Sequence, residues 1–267
     1  MYIVSEDGSA TVKGHTASLP NELVIPSTIT KDGVNYRVTN IFSEAFSNCT
    51  NLISVIIPDG VTKIGKSAFD GCTNLTSVNI SDAVTSIGQR SFYKCEGLTS
   101  VTIPESVTTI GDEAFSTWII SDVYCHADPE KLTLSGWASS NWQIHVPTIY
   151  LDKWKDKYGK YYTFIGDIKN ITDESITIPS QTYTGSALTP VVKDSDKTLV
   201  EGEDYTITLP QSGCTNAGEY IATLKGKKLY YKKAKKNFTI NPAPVTVTAE
   251  NKTRAFGESD PEFTALR

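Results

Sequence analysis

Residues 38–60 read VTNIFSEAFSNCTNLISVIIPDG, and the pattern returns as VTKIGKSAFDGCTNLTSVNISDA over 61–83 and as VTSIGQRSFYKCEGLTSVTIPES over 84–106. A fourth copy begins with VTTIGDEAF at Val107. The three complete copies follow one another without insertion or deletion. Such an exact period predicts equivalent structural units that stack on one another, because one unit cannot bury its apolar face alone.

The apolar positions of this repeat recur as columns, and its 23-residue period lies within the range of leucine-rich solenoids. Each column places one residue type at the same height in successive coils. The columns are Ile41, Ile64, Ile87 and Ile110; Phe46, Phe69, Phe92 and Phe115; Cys49, Cys72 and Cys95; Leu52, Leu75 and Leu98; Val55, Val78 and Val101; and Ile57, Ile80 and Ile103.

Local patterns predict the structure inside each coil. The segment L-x-x-V-x-I alternates at its end, which predicts a strand with its Val and Ile facing inward. The segment around S-A-F-x-x-C has its apolar residues at roughly helical spacing and is expected to be a short helix or a turn. In the incomplete fourth copy Trp118 replaces the Cys, and Cys125 takes the place of the last Ile.

The segments that flank the repeats are expected to cap the stack. Upstream, the LVIP motif at residues 23–26 resembles a partial repeat, and the Asp32-Gly33 pair that follows predicts a hairpin turn. Downstream, residues 116–168 contain all four tryptophans, Trp118, Trp137, Trp142 and Trp154. A short amphipathic helix is predicted over LDKWKDKYGKYY. We expect the tryptophans mainly to seal the last coil.

The consensus V-T-x-I-G-x-x-A-F-x-x-C-x-x-L-x-S-V-x-I-P resembles the BspA-like leucine-rich repeats of bacterial surface proteins. The resemblance covers about residues 1–170 and includes the closing segments VYCHADP and IHVPTIYLDKWKDKYGKYYTFIGDI. It implies an extracellular or surface-anchored protein of adhesin type and names no ligand.

Beyond residue 170, short β-rich runs alternate with turn residues, a pattern typical of β-sandwiches. The motifs YTG-x-ALTP, L-x-x-G-x-DYT and NAGEY-x-A-x-L-x-G resemble bacterial immunoglobulin-like modules. The last residues, from APVTVTAENKTRAFGESDPEFTALR, resemble the opening of a further module of the MBG type, so the chain is expected to be a fragment of a longer stalk.

The predicted fold class is therefore mainly β with short helices, a leucine-rich-repeat solenoid followed by an immunoglobulin-like β-sandwich. Folding of the two modules is expected to be independent, with a boundary between about Gly166 and Glu174. We divide the chain into an N-terminal cap with a partial repeat and hairpin (1–37), four repeats (38–125), a C-terminal cap (126–170), the immunoglobulin-like module (171–241) and the start of another β module (242–267).

Composition excludes several classes of function. The net charge of −5 argues against a nucleic-acid binder, which needs a basic surface. No apolar stretch of about 18 residues is present, so we expect no membrane insertion. The first residues show no signal-peptide pattern, so an exported protein would have lost its leader.

No pattern indicates catalysis, and we expect no enzyme activity, no cofactor and no metal. H-E-x-x-H, G-x-S-x-G, P-loop and G-x-G-x-x-G motifs are absent. Metal ligation by Cys125, His126 and Asp128 remains an alternative to a structural role. Calcium binding by the acidic residues at 201–204 is an alternative to a solvated turn. Disulfides or a row of metal sites along the cysteine column are alternatives to buried free thiols. Buried free thiols are the favoured interpretation there, because parallel side chains point the same way.

Two sets of residues are candidates for binding. The first is the outward face of the L-x-x-V-x-I strands, where small neutral side chains offer hydrogen bonds and little electrostatic steering: Ser54, Ile56, Ser77, Asn79, Ser100, Thr102, Asp122 and Tyr124. The second is a basic strand for an acidic polysaccharide or membrane surface: Lys227, Lys228, Lys232, Lys233, Lys235 and Lys236. An edge strand protected by lysine against aggregation is the alternative for the second set.

These features predict a monomeric, non-catalytic surface or secreted interaction protein of adhesin type. The solenoid would be its binding platform and the immunoglobulin-like module its stalk. Its partner is expected to be a host protein or glycan. A carbohydrate-binding component that uses the aromatic residues of the cap and a purely structural spacer are the alternatives.

Overall fold

A computed structural model of the protein describes residues 1–15, 19–117, 119–136, 142–210, 213–244 and 256. The first fifteen strands are β1 (Tyr2–Val4), β2 (Ser9–Val12), β3 (Glu22–Val24), β4 (Thr28–Lys31), β5 (Val34–Ile41), β6 (Ser54–Ile56), β7 (Lys63–Ile64), β8 (Ser77–Asn79), β9 (Ser86–Ile87), β10 (Ser100–Ile103), β11 (Thr109–Ile110), β12 (Asp122–Cys125), β13 (Thr133–Leu134), β14 (Gln143–Pro147) and β15 (Phe164–Asn170). A 3₁₀ turn at Thr148–Tyr150 leads into helix α1 (Leu151–Tyr158), between β14 and β15.

The remaining strands are β16 (Ile176–Thr177), β17 (Gln181–Thr182), β18 (Lys193–Asp194), β19 (Lys197–Thr198), β20 (Tyr205–Thr208), β21 (Gly218–Gly226), β22 (Tyr230–Tyr231) and β23 (Lys233–Asn241). The protein is thus mainly β with few helices, as predicted. In the described part of the chain, no helix has the length and apolar character needed to cross a bilayer.

Each repeat contributes one strand to each of two sides of the solenoid, and the repeat strands that pair on either side run parallel. The predicted L-x-x-V-x-I strands are β6, β8, β10 and β12, and β3 pairs in register with β6 as the predicted partial repeat. The two-residue strands β7, β9 and β11, from the V-T-x-I segments, form another sheet that the sequence analysis did not predict. That sheet runs in the order β1-β2-β5-β7-β9-β11-β13, with β4 on β5.

The predicted apolar columns form the core between these two sides of the solenoid. The rings of Phe46, Phe69, Phe92 and Phe115 stack in one file, with centroids 5.1, 5.2 and 5.1 Å apart. In a further column, the thiol of Cys72 donates a hydrogen bond to the carbonyl oxygen of Phe46 at 3.1 Å. Stacked coils therefore satisfy one another's apolar and polar groups, as a solenoid requires.

The S-A-F-x-x-C segments form turns rather than helices, because two positions in the coil are left-handed. The first such column is Glu44, Ser67, Arg90 and Glu113, with φ between 50° and 60°. The second is Asn48, Gly71 and Lys94. A right-handed helix cannot continue through a left-handed residue, so each coil turns two corners at these positions.

Both ends of the stack are covered. At the N-terminal end, β4 and β5 form the predicted hairpin, with Lys31 opposite Val34 across the Asp32-Gly33 turn. At the C-terminal end, β14 and β15 continue the parallel pairing after β12. Helix α1, predicted from its spacing, places Trp154 in the core, where the ring lies 5.1 Å from that of Phe164.

Two compact units divide the described structure. The first comprises residues 1–173 together with the short segments 201–206 and 225–233, which group with the solenoid. The second comprises residues 174–200, 207–224 and 234–267. The chain first passes from one unit to the other at Asp173, inside the predicted boundary region, whereas the division into five segments and the independence of the modules remain predictions.

The second unit contains short strands and its own buried apolar side chains. Strand β18 pairs antiparallel with both β16 and β19, and β17 runs parallel to β23. Val192, Ala222 and Leu224 are fully buried here. Most of the predicted further module, residues 245–255 and 257–267, lies outside the described residues.

Candidate binding surface

The candidate ligand residues lie side by side on what we call the outer face, the solvent side of β3, β6, β8, β10 and β12. Ser54 pairs with Ser77, and Ile56 with Asn79. Ser100 pairs with Asp122, and Thr102 with Tyr124. None of the eight is buried, whereas Val55, Val101 and Val123 beneath them are buried.

Strands β8 and β10 interrupt this surface, because they belong to different sheets. Strand β8 ends the sheet β3-β6-β8, and β10 begins the sheet β10-β12-β14-β15-β22. The two strands still pack against each other. The outer face therefore has a break between its second and third complete repeats.

A cleft of about 290 Å³ opens over this break. Its floor includes Ser77, Asn79, Ser100 and Thr102, four of the eight predicted face residues. Its wall consists of the two short segments that group with the solenoid, through Gly202, Glu203, Thr206 and residues 225–228. We call this the lysine cleft, because Lys225, Lys227 and Lys228 line it.

The six lysines of the predicted basic strand do not share one strand. Lys227 and Lys228 lie in the turn before β22, and Lys232 separates β22 from β23. Lys233, Lys235 and Lys236 lie on β23. Strand β23 pairs with β17 only at Ile240 and Asn241, so β17 does not cover the segment with these three lysines, and the protected-edge interpretation stays a prediction.

Hydrogen bonds and ion pairs hold the lysines of the cleft. Lys225 Nζ lies 2.9 Å from Asp82 Oδ2. Lys227 Nζ donates to the carbonyl oxygen of Gly202 at 2.6 Å. Lys228 Nζ lies 3.9 Å from Glu203 Oε2, which is too far for a hydrogen bond.

His126 lies beneath the same turn and is buried. Its Nε2 donates to the carbonyl oxygen of Lys228 at 2.6 Å, and its ring lies 5.7 Å from that of Tyr231. Burial lowers the pKa of His126 to about 4, because removal from water penalises the charged ring. The imidazole is therefore a neutral support for the wall of the cleft.

A cluster of one histidine and two aspartates at the C-terminal end of the outer face was not predicted from the sequence. His145 Nδ1 lies 2.8 Å from Asp167 Oδ2, and His145 Nε2 lies 3.2 Å from Asp122 Oδ1. The ring of Tyr124 stacks on the imidazole at 4.8 Å. The sequence spacing could have revealed this cluster. His145 follows Asp122 by 23 residues and Asp167 follows His145 by 22, which continues the repeat period into the cap.

The cysteines are buried free thiols, as predicted for the column. Burial raises the pKa of Cys72 and of Cys125 to about 12. Cys49 Sγ lies 3.1 Å from His15 Nε2, but burial raises the pKa of this thiol too, so the pair does not supply an activated nucleophile. Cys125 occupies the predicted strand position, opposite Ile103.

Among the described residues, no group of three His, Cys, Asp or Glu side chains is arranged to hold a metal ion. In the alternative ligand set, Cys125 faces the core and His126 bonds to a backbone carbonyl. Asp128 instead accepts a hydrogen bond from the backbone N–H of Glu130 at 3.0 Å. These contacts account for all three residues structurally.

Two of the four tryptophans of the cap serve the core. Trp154 is fully buried and Trp142 is 4% exposed, so neither offers a ring face to a sugar. This agrees with the prediction that they seal the last coil. Trp118 and Trp137 lie outside the described residues.

Comparison with known proteins relates this chain to bacterial repeat proteins. Residues 22–141 match a family described as BspA type leucine rich repeat region, in six copies. The chain is similar in structure to a leucine rich repeat protein of T. pallidum, with 24% identity, a TM-score of 0.48 and coverage of 65% of this chain and 72% of that one. No curated protein matches the chain.

Two other solved structures are 31% identical to this chain. A leucine-rich repeat protein from Bacteroides capillosus matches 47% of this chain and 92% of its own length, with a TM-score of 0.45. A leucine rich cell surface protein from Faecalibacterium prausnitzii matches 55% of this chain and 46% of its own length, with a TM-score of 0.43.

Proposed function

We propose that the protein, whose residues 22–141 match the BspA type leucine rich repeat region, is a non-catalytic interaction protein of adhesin type at the surface of a bacterium or outside it. The outer face of the solenoid binds a host protein or glycan. The immunoglobulin-like module, followed by the start of an MBG-type module, holds this platform away from its attachment point. The protein acts as a monomer.

The observation that supports this role is the alignment of polar side chains along the outer face. Parallel pairing places Ser54 beside Ser77, and Ser100 holds the equivalent position on β10, across the break. A rigid, regularly spaced row of hydrogen-bonding groups fits an extended ligand at little entropic cost, because the strands below are already ordered.

Two alternatives lead to different results. A carbohydrate-binding component that uses cap aromatics loses two of its candidate platforms, because Trp142 and Trp154 are buried. A purely structural spacer requires that the outer face binds nothing.

The experiment is a screen of the purified chain against host matrix proteins and a glycan panel, followed by a double substitution. Asn79→Arg with Thr102→Arg places two bulky charges in the centre of the outer face. Thr85→Arg with Thr108→Arg adds the same charge to exposed positions beside the other sheet and is the matched control. We expect the first pair to abolish binding and the second to leave it within about twofold, since rim or remote charges contribute little.

If both double variants bind the partner as tightly as the parent chain does, the outer face is not the binding surface. Absence of any partner in the screen would favour the spacer.

A further inference from the structure

The floor of the lysine cleft offers hydrogen-bonding groups that the protein does not use. Among the described residues, the side chains of Ser77, Asn79, Ser100 and Thr102 make no hydrogen bond to protein. Three hydroxyls and one amide supply both donors and acceptors. A ligand that carries many hydroxyl groups matches this floor.

The wall of the cleft offers positive charge. The ammonium group of Lys227 bonds to a neutral carbonyl, which leaves its charge uncompensated at that contact. Burial, followed by the charges of Lys228 and Lys225, lowers the pKa of Lys227, because all three penalise another positive charge there. Lys228 lies beyond hydrogen-bond distance of Glu203 and retains its donors.

The charges lining the cleft leave an excess of one. Lys225, Lys227 and Lys228 face two carboxylates, those of Asp82 and Glu203. Asp82 is already engaged by Lys225 at 2.9 Å. The side chain of Glu203 is 68% exposed and can turn toward water. One ligand carboxylate would therefore balance the cleft.

The shape of the lining disfavours two other classes of ligand. The only aromatic ring among the lining residues is that of His126, which is buried, so a neutral sugar has no aromatic face on which to stack. Of the apolar lining residues, Ile80, Val101 and Pro104 are buried and Val78 is half-buried, so a peptide side chain finds little apolar surface. The volume of about 290 Å³ is at the small end of ligand pockets, which suits a terminal sugar rather than a long chain.

We propose that the lysine cleft binds a saccharide ending in a carboxylated sugar, whose carboxylate lies between Lys227 and Lys228 and whose hydroxyl groups bond to the floor. This inference rests on the proposed function, since it names the ligand class of the outer face. It departs from the weak electrostatic steering expected from the sequence, because the lysines come from a distant segment.

Calorimetric titration of the full chain tests this with paired probes: sialyllactose against lactose, and a glucuronate-terminated trisaccharide against its neutral glucose analogue. We expect one or both acidic probes to bind at least about tenfold more tightly than the neutral counterpart, the effect of a charge-assisted hydrogen bond. Binding of an acidic probe should weaken several-fold as salt is raised.

Two charge-matched double variants locate the site. Lys227→Gln with Lys228→Gln is expected to weaken binding about tenfold or more. Lys13→Gln with Lys31→Gln, exposed lysines of the N-terminal cap, removes the same charge and should leave binding within about twofold. Ser100→Ala with Thr102→Val should also weaken binding, because hydroxyl contacts carry the saccharide specificity.

Hexaglutamate is the peptide probe. Equal binding of hexaglutamate and the acidic saccharides, unaffected by the floor variants, would show a peptide or unspecific anion surface and overturn the proposal. Failure of every acidic saccharide to bind would also overturn it. The proposed function would still stand if the screened partner bound the parent chain and not the Asn79→Arg, Thr102→Arg variant.

Discussion

Replacement of Phe69 by alanine is expected to destabilise the solenoid more than any change on its surface. The ring is fully buried in the middle of the phenylalanine file, between Phe46 at 5.1 Å and Phe92 at 5.2 Å. Truncation removes contacts on both sides of one coil and opens a cavity between two others.

The expected loss is about 4 kcal/mol of unfolding free energy, within the 3–5 kcal/mol typical of Phe→Ala in a core. The cavity cannot collapse easily, because the backbone N–H groups of Phe46 and Phe92 donate to the carbonyl oxygens of Ala68 and Ala114 and so tie each coil to the next. A Phe→Ala substitution costs less unfolding free energy where the surrounding residues can move into the cavity. Here the backbone hydrogen bonds between coils restrict such movement.

Equilibrium urea unfolding, followed by circular dichroism, measures this loss. Phe42→Ala is the matched control, since Phe42 belongs to the neighbouring coil and is 49% exposed. We expect that variant to lose about 1 kcal/mol, in proportion to its smaller buried area. Equal losses for the two variants, or less than about 2 kcal/mol for Phe69→Ala, would refute this account of the core.

Three further predictions concern packing, thiol reactivity and pH. Gly88→Ala should cost about 1–3 kcal/mol, because an added Cβ would lie 2.7 Å from the backbone carbon of Gly65; an unchanged melting temperature would contradict this. Cys72 and Cys95, whose pKa values are raised mainly by burial, should resist maleimide at pH 7–9 in the folded protein and react fast in urea; rapid labelling without urea would show that the column is open. The pKa of His126 is lowered from 6.5 to about 4, so the unfolded chain binds its proton first, and up to about 3 kcal/mol of stability present above pH 6.5 should be lost toward pH 4. Urea unfolding at several pH values should show that the unfolding free energy of His126→Gln changes less with pH than that of the parent chain. An identical pH dependence of the two would assign it to other groups.

The repeat made most of the solenoid predictable from sequence. Columns such as that of Leu52, Leu75 and Leu98 identify the inward side of every coil, because only stacked equivalent positions can bury one another. The strands β7, β9 and β11 escaped prediction, since two residues are too few to show alternation. For the S-A-F-x-x-C segments the sequence did not distinguish a short helix from a turn. The left-handed positions are occupied by residues such as Glu44 and Arg90 rather than by glycine, which would have indicated a turn.

The outer face was predictable for the same reason, and the lysine cleft was not. Spacing identified Asn79 and Thr102 as outward residues. Nothing in local sequence indicates that Lys227 and Lys228, more than a hundred residues later, group with the same unit. The cluster at His145 could have been predicted from the 23-residue spacing between Asp122 and His145. It was not, because the cap departs from the repeat consensus on both sides of His145.

The two left-handed corners recur in every complete coil, so the outer face can change its length by whole coils. Deletion of residues 61–83 would join Gly60 to Val84, which occupies the same place in its coil as Val61, and would bring Phe46 against Phe92 with the corners still aligned. Duplication of the same segment would insert one more congruent layer. The outer face can therefore grow or shrink in increments of one strand spacing, about 4.8 Å, while the core remains unaltered. Gene rearrangements that add or remove whole repeats would then change the length of the row of hydroxyl groups and fit it to ligands of different length.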